Sequence, residues 1–335
     1  MRNEIVLTGM RPTGRLHLGH YLGVIKNMAK LQNEYDCYFF IADWHALTTK
    51  YEQTENLRQD IIEAATDWLA CGIDPDKASV YVQSLIPETA ELHVYLSMIT
   101  PQNWVERDPN LKDMAKILRT KEGLASKINY GLMGYPVLMT ADILSFNADF
   151  VPVGIDQVAH VELTRDIARR FNCIYKTDFF KETKPLLNNC PLICGLDGSK
   201  MGKSFNNDIK ISDSDEVTAK KVMTAITDRS RIRKDDPGHP DECEVVFKYW
   251  QIFGSEEEIN AVRTECEKGA RGCADCKRQL GAKINETMKE IREKRSYYEA
   301  HPEIIKDILQ SGSQKARGKA KKVLSEVREI VKMYR

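Results

Sequence analysis

Leu7-Thr8-Gly9-Met10-Arg11-Pro12-Thr13-Gly14-Arg15-Leu16-His17-Leu18-Gly19-His20 is the stretch whose reading decides the fold of this chain. The apolar run Ile5-Val6-Leu7 predicts a buried strand. Gly9, Pro12 and Gly14 end it, and Tyr21, Leu22, Val24, Ile25 and Met28 then recur at helical spacing. A helix beginning near Leu18 aims its unpaired amides and positive dipole end at an anion, and Gly9 and Gly19 let a ligand approach the backbone. His17 and His20 flank that opening and can donate protons or hydrogen bonds to phosphate oxygens. The stretch therefore reads as a nucleotide phosphate site built without a Walker glycine loop. The competing reading of two histidines at this spacing is a pair of surface or core residues with satisfied ring nitrogens.

Working outward, Cys37 to Ala42 reads as a second buried strand ending at Asp43-Trp44-His45. A helix follows, with Thr54 as N-cap, Leu57, Ile61, Ile62, Ala65, Trp68 and Leu69 as its apolar face and Gly72 as terminator. Ser79 to Gln83 is the next strand. Strands alternating with long helices predict an α/β fold, a Rossmann-like parallel sheet with helices on both faces and ligands at the carboxyl ends of the strands. A helical stretch runs to about residue 148, interrupted at Pro101, Pro109 and Gly123. Within it Asp142 stands in an apolar run, Tyr135 to Leu144. A carboxylate there is either a cap or half of a buried ion pair, or an acceptor for a ligand N–H or O–H. Asp149 to Gln157 reads as a strand entering a helix that continues through His160, Leu163, Ile167 and Phe171, with His160 and Arg165 structural. Gly154 lets the backbone approach a nucleoside, and Asp156 can hold ribose hydroxyls.

Far downstream, Lys200-Met201-Gly202-Lys203-Ser204 follows the polar segment Asp197-Gly198-Ser199, and two lysines at that spacing can bracket a triphosphate as point charges. Together the two segments resemble the His-Ile-Gly-His and Lys-Met-Ser-Lys-Ser signatures of the class I aminoacyl-tRNA synthetases, in the order of the tyrosine/tryptophan subgroup. Leu18 stands for isoleucine, and Gly202 for serine, which loosens the loop and removes a hydroxyl. The segment around Asp142 resembles the amino-acid pocket of tryptophanyl-tRNA synthetases, where the matching aspartate accepts the indole N–H. Met139, where tyrosine enzymes tend to carry glutamine, and Val151-Pro152-Val153-Gly154-Ile155-Asp156-Gln157 lean the same way.

The resemblance implies a two-step ligase: tryptophan attacks the α-phosphate of ATP, and the acyl group then passes to tRNA. His17, His20, Lys200 and Lys203 are its implied catalytic residues, with Mg2+ on the phosphates. ATP would meet Arg11, Pro12, Thr13, Gly19, Gly154, Ile155, Asp156, Leu192, Met201, Gly202 and Ser204 besides. Tryptophan would meet Gly9, His45, Tyr135, Met139, Asp142, Val151, Val153 and Gln157. A tyrosine enzyme of the same fold and a non-catalytic tRNA-binding or iron–sulfur protein derived from a synthetase remain the alternatives.

Composition bounds the rest. With 335 residues, 42% apolar and 29% charged, the chain can bury a sizeable core, divided here into a catalytic domain over 1–205 and a helical tRNA-reading domain over 206–335. The last helix, with Val323, Leu324, Val327, Ile330 and Val331 on one face, is open to being reclaimed by the sheet. No apolar run reaches bilayer length and no secretory segment opens the chain, so a cytoplasmic protein with unpaired cysteines is expected. Zero net charge argues against indiscriminate nucleic-acid binding. Local patches suit a tRNA better: eight Lys/Arg against two Glu over 315–335, and Arg229, Arg231, Arg233 and Lys234. Of nine cysteines, Cys243, Cys266, Cys273 and Cys276 form Cys-x22-Cys-x6-Cys-x2-Cys, a metal pattern that suits an iron–sulfur cluster at least as well as Zn2+, with free thiols the plain alternative. It is similar to that of a subset of tryptophanyl-tRNA synthetases carrying a [4Fe-4S] cluster. Cys37, Cys71, Cys173, Cys190 and Cys194 read as core or incidental thiols. A homodimer is implied by the resemblance alone.

Overall fold

The computed structural model describes residues 4–107, 128–154, 157–187, 193–233 and 235–334. Strand β1 (Ile5–Met10) leads through the signature turn into helix α1 over 18–31, made of Leu18–His20, a π-helical segment Tyr21–Ile25 and Lys26–Leu31. Then come β2 (Asp36–Ile41), α2 (Asp43–Lys50), α3 (Leu57–Ala70), β3 (Ala78–Val82), α4 (Pro87–Ile99), α5 (Gln102–Glu106), α6 (Tyr130–Leu144), β4 (Phe150–Val153), α7 (Val158–Tyr175) and β5 (Lys184–Leu187). Past the lysine segment lie α8 (Asp215–Met223), α9 (Val246–Phe253), α10 (Glu256–Glu267), α11 (Cys273–Ala300) and α12 (Pro302–Ile330).

The five strands form one parallel sheet in the order β3-β2-β1-β4-β5. Side chains alternate across it as a pleated strand requires. Phe39 and Ile41 pack under α1 and α3 on one face, while Tyr38 and Phe40 meet Phe146 and Ala316 on the other. The order reverses between β1 and β4, the place where open α/β sheets bind ligands. Pairing there is confined to Val6 opposite Phe150. Pro152, two residues on, has no amide to donate, so the two strands part toward their carboxyl ends and leave the crevice open.

Several local expectations change. A short helix, α2, begins directly at Asp43 where the sequence reads as the tail of a strand. The N-cap of α3 is Asn56, not Thr54, which lies two residues earlier at the head of a turn whose carbonyl accepts from Leu57 N at 3.0 Å. Gly72 does end α3, at a left-handed φ of 101°. Pro101 separates α4 from α5, whereas Pro109 and Gly123 lie outside the described residues. Part of the basic run after 315 is spent internally, since Arg317 pairs with Glu88 at 2.9 Å and Arg328 with Glu91 at 2.5 Å, both on α4.

Those pairs belong to a larger feature: α12 lies against the sheet. Val323, Leu324 and Val327 enter the core formed by α4 and α6. A Cβ on Gly312 would stand 2.0 Å from the Val80 carbonyl oxygen, and Ser313 Oγ accepts from Val82 N at 3.3 Å. The helix touches strand backbone, so Gly312→Ala has no side chain to push aside. We expect it to cost about 1–3 kcal/mol, read as a lower urea midpoint at unchanged slope.

Candidate active site

The crevice opens into a cavity of about 700 Å³ between β1 and β4, within the range of small-molecule sites. Gly9 lies in β1 and Arg11 just after it; Val151 and Val153 lie in β4, with Gly154 and Gln157 after them; His45 comes from α2; Tyr135, Met139 and Asp142 come from α6; Lys200 also lines the cavity. All eight residues assigned to tryptophan by resemblance therefore line one cavity, together with three of those assigned to ATP.

Asp142 is its buried anchor, 3% exposed. His45 Nε2 lies 2.9 Å from Oδ2, and the Gln83 side-chain amide donates to both carboxylate oxygens at 2.9 Å. Gln83 was not singled out from the sequence. It follows a strand of ordinary composition, and only the register that sets β3 beside β2 brings it under Asp142. The same residue accepts from Trp44 N at 3.1 Å and so fixes the start of α2. His160, read as structural, also reaches the cavity wall: its Nε2 is 3.3 Å from the Tyr135 hydroxyl. Burial lowers the pKa of Arg11, opposed by Tyr135.

The phosphate-type half is assembled from segments distant in sequence. His17 pairs with Lys210 in an isolated antiparallel bridge, Leu18 N donates to Ile209 O at 2.9 Å and Ile211 N to Leu16 O at 2.9 Å. The segment after the lysines thus runs beside the histidine turn. Lys203 Nζ donates to Thr13 O at 2.5 Å. Lys200 is seated at the cavity, while the Met201 side chain turns into the main core, leaving only its backbone to face a ligand. Ile155, Asp156 and Leu192 lie outside the described residues, as does the side chain of Ser204.

Two glycines serve a different purpose from the expected one. A Cβ on Gly9 would meet the Phe40 ring at 2.3 Å, and one on Gly19 would meet the His17 ring at 3.0 Å, so each first makes room for an aromatic neighbour. Gly202 has an extended φ of −169°, open to any residue. Nor is its loop loose among the described contacts: Gly202 N donates to Asn207 Oδ1 at 2.9 Å, and Asn207 Nδ2 donates to Asp197 Oδ1 at 2.8 Å, Ser199 Oγ at 3.0 Å and Lys200 O at 3.2 Å. Gly195 leaves space for that side chain. Asn207 is a second residue the sequence did not flag, because its partners are all loop atoms.

Burial is the main cause that holds both imidazoles neutral. His17 is pushed down to about 4, with Asp208 raising and Lys203 lowering it; His20 is pushed down to about 3, with His17 and Lys203 adding to burial. His20 Nδ1 accepts from His17 N at 3.3 Å, which leaves the proton on Nε2 as a donor. The cationic charge near a triphosphate therefore comes from Arg11 and the lysines. An unfolded imidazole takes its proton first as pH falls below its ordinary 6.5, so stability is full above 6.5 and declines toward pH 4 to 3. We expect the urea midpoint to fall across that window and the decline to be shallower in His20→Asn.

Four thiols gather at the far end. Cys243 is buried in the turn before α9, Cys266 ends α10, and Cys273 and Cys276 open α11. Arg231 NH1 stands 3.8 Å from Cys273 Sγ and 4.0 Å from Cys266 Sγ, and a Cβ on Gly238 would strike Cys266 Sγ at 2.6 Å. Burial pushes the Cys276 thiol up to about 11.

Residues 1–289 match the family described as tRNA synthetases class I (W and Y). The tryptophan–tRNA ligase of Aquifex aeolicus is 39% identical, over 98% of this chain and 99% of its own length; that of Chlamydia caviae is 44% identical, over 100% and 97%. The crystal structure of the tryptophanyl-tRNA synthetase of Campylobacter jejuni complexed with ADP and tryptophane superposes with a TM-score of 0.88 at 36% identity, covering 98% of this chain and 100% of that one. A nucleotide-type α/β sheet with the two signature segments side by side defines a class I synthetase, and the chain belongs to that W and Y family.

Proposed function

We propose that this protein is an ATP-dependent tryptophan–tRNA ligase. It joins L-tryptophan to the α-phosphate of ATP with release of pyrophosphate, then transfers the tryptophanyl group to tRNA(Trp). One observation carries the reading: a single cavity has a buried carboxylate, Asp142, in its wall and the cations Arg11 and Lys200 around it. The amino acid occupies the Asp142 side, with Tyr135, Met139 and Gln157 around it, and ATP the side of His17, His20, Lys200 and Lys203. Mg2+ accompanies the phosphates as part of the substrate. Such chemistry asks the protein for alignment and charge rather than covalent help. Amino-acid-dependent exchange of pyrophosphate into ATP tests it. Exchange driven by tryptophan is the expected result; tyrosine-driven exchange would hand the chain to the tyrosine subgroup, and tRNA affinity without exchange would make it a non-catalytic derivative.

The division near residue 205 belongs to the same reading, with α8 to α11 as the tRNA-facing part and α12 returned to the sheet. Among the described residues no helix is long and apolar enough to cross a membrane. The described cysteines are all unpaired, in keeping with a reducing cytoplasm. The family likeness supports a homodimer.

The thiol group supports a second element, a [4Fe-4S] cluster held by Cys243, Cys266, Cys273 and Cys276. One Cys-x2-Cys knuckle with two outlying thiols suits a polynuclear group at least as well as a mononuclear Zn2+, with free thiols the plain alternative. Once bound, the cluster would tie α9, α10 and α11 together. Anaerobically purified protein should carry about four iron atoms per chain and Cys276→Ser should lose them; zinc in place of iron would reverse the choice.

A further inference from the structure

Arg295 belongs to α11, yet it is 2% exposed beneath α3 of the sheet domain. Its Nε donates to Asp67 Oδ1 at 2.6 Å, and its two terminal nitrogens donate to Glu63 and Glu299. Asp67, 0% exposed, offers its other oxygen to the backbone N–H of Leu16 at 2.6 Å, and Leu16 immediately precedes His17. Arg15 closes the ring: its Nε is 3.3 Å from the Glu63 oxygen that Arg295 also holds, and its NH2 is 3.5 Å from the shared Glu299 oxygen. Two consecutive residues of the histidine turn are thus gripped by one ionic network centred on a buried guanidinium.

A buried ionic network is weak evidence for stability, because apolar packing of equal volume often serves as well. What it supplies is geometry. A carboxylate with one oxygen on a guanidinium and the other on a main-chain amide is fixed in position and in rotation. Without the guanidinium, Glu63 and Glu299 would keep Arg15 alone, and Asp67 would be left charged and buried or would take up a proton. Either outcome loosens the acceptor that Leu16 depends on.

We infer that Arg295 is a positioning residue for the ATP half of the site, acting through Asp67 to set the backbone of Leu16 and His17 and so the reach of His17 and His20 toward the phosphates. This rests on the assignment of that half to ATP. The test uses the full-length protein and two variants, Arg295→Met and Arg295→Lys. In pyrophosphate exchange at saturating tryptophan, Arg295→Met should raise the KM for ATP about 10-fold and lower kcat by a similar factor. The Kd for tryptophan, from equilibrium dialysis without ATP, should stay within about twofold, and Arg295→Lys should recover most of the loss. Amide hydrogen exchange supplies the direct readout: residues 14–20 should exchange about 10-fold faster in Arg295→Met while β4 and α7 keep their protection. Equal losses for ATP and tryptophan, or unchanged protection at 14–20, would overturn the inference. Should Arg295→Met fail to fold, Arg295→Lys carries the test: an ammonium cannot reach all three carboxylates, so exchange at Leu16 should rise by a smaller but measurable factor of about two to three, and unchanged exchange there would overturn the inference. A wild-type protein that performs no exchange would sink the ATP assignment and leave the amide measurement to judge the positioning role alone.

Discussion

Asp142→Ala should erode the preference for tryptophan over tyrosine and phenylalanine by up to about 10^4-fold in kcat/KM for pyrophosphate exchange. The size follows from the partners the carboxylate has within the protein. It is buried, and it already accepts from Gln83 and His45. A carboxylate has about four lone-pair positions, so one remains for a ligand N–H. An amino acid without that N–H leaves the position desolvated and unpaired, a cost that tryptophan does not meet. Cutting the side chain back to a methyl group removes the penalty on the wrong ligand and strands the donors of Gln83 and His45 as well. Discrimination that survives the substitution would take Asp142 out of the recognition site.

Lys203→Ala should slow adenylate formation by about 10^2- to 10^3-fold, roughly 3–4 kcal/mol of transition-state stabilisation, with tryptophan affinity nearly unchanged. Lys203 is held against the histidine turn by the Thr13 carbonyl. Burial lowers its proton affinity, while Asp60, Asp67 and Asp208 work to keep it charged. An ammonium parked on a neutral carbonyl has little to give up when a phosphate arrives. Pre-steady-state formation of the adenylate, set beside equilibrium binding of tryptophan, separates the two effects. Losses of equal size in both would refute a role confined to the phosphates.

The first four strands, their parallel arrangement and the opening turn were legible in the sequence because each is a local pattern: Ile5 to Leu7 and Cys37 to Ala42 are unbroken apolar runs punctuated by Gly or Asp, whereas the short, half-exposed edge strand Lys184–Leu187 was missed. The cavity residues were legible through family likeness, and the structure brings the tryptophan set to one place. What remained hidden depends on register and on long-range packing. Gln83 and Asn207 are ordinary amides until the fold puts carboxylates and loop carbonyls beside them. Asp67 sits in a helix face that reads as plain amphipathic. Its partner Arg295 lies in a charged stretch that looks wholly solvated, and no periodicity joins the two. Gly202 misled in the other direction: a glycine in a polar segment suggests slack, but its extended backbone is pinned by a neighbour five residues on.

The seat of α12 bears on how this protein is made. Val80 and Val82 are covered by a glycine and a serine that come much later in the chain, Ser313 lying 231 residues after Val82. While the ribosome is still at work, the outer strand of the sheet and the apolar side of α4 wait bare for a partner that has not yet been translated. Nascent chains of this protein should therefore stay aggregation-prone until translation has passed α12, and the sheet should gain protease resistance only after that helix has emerged.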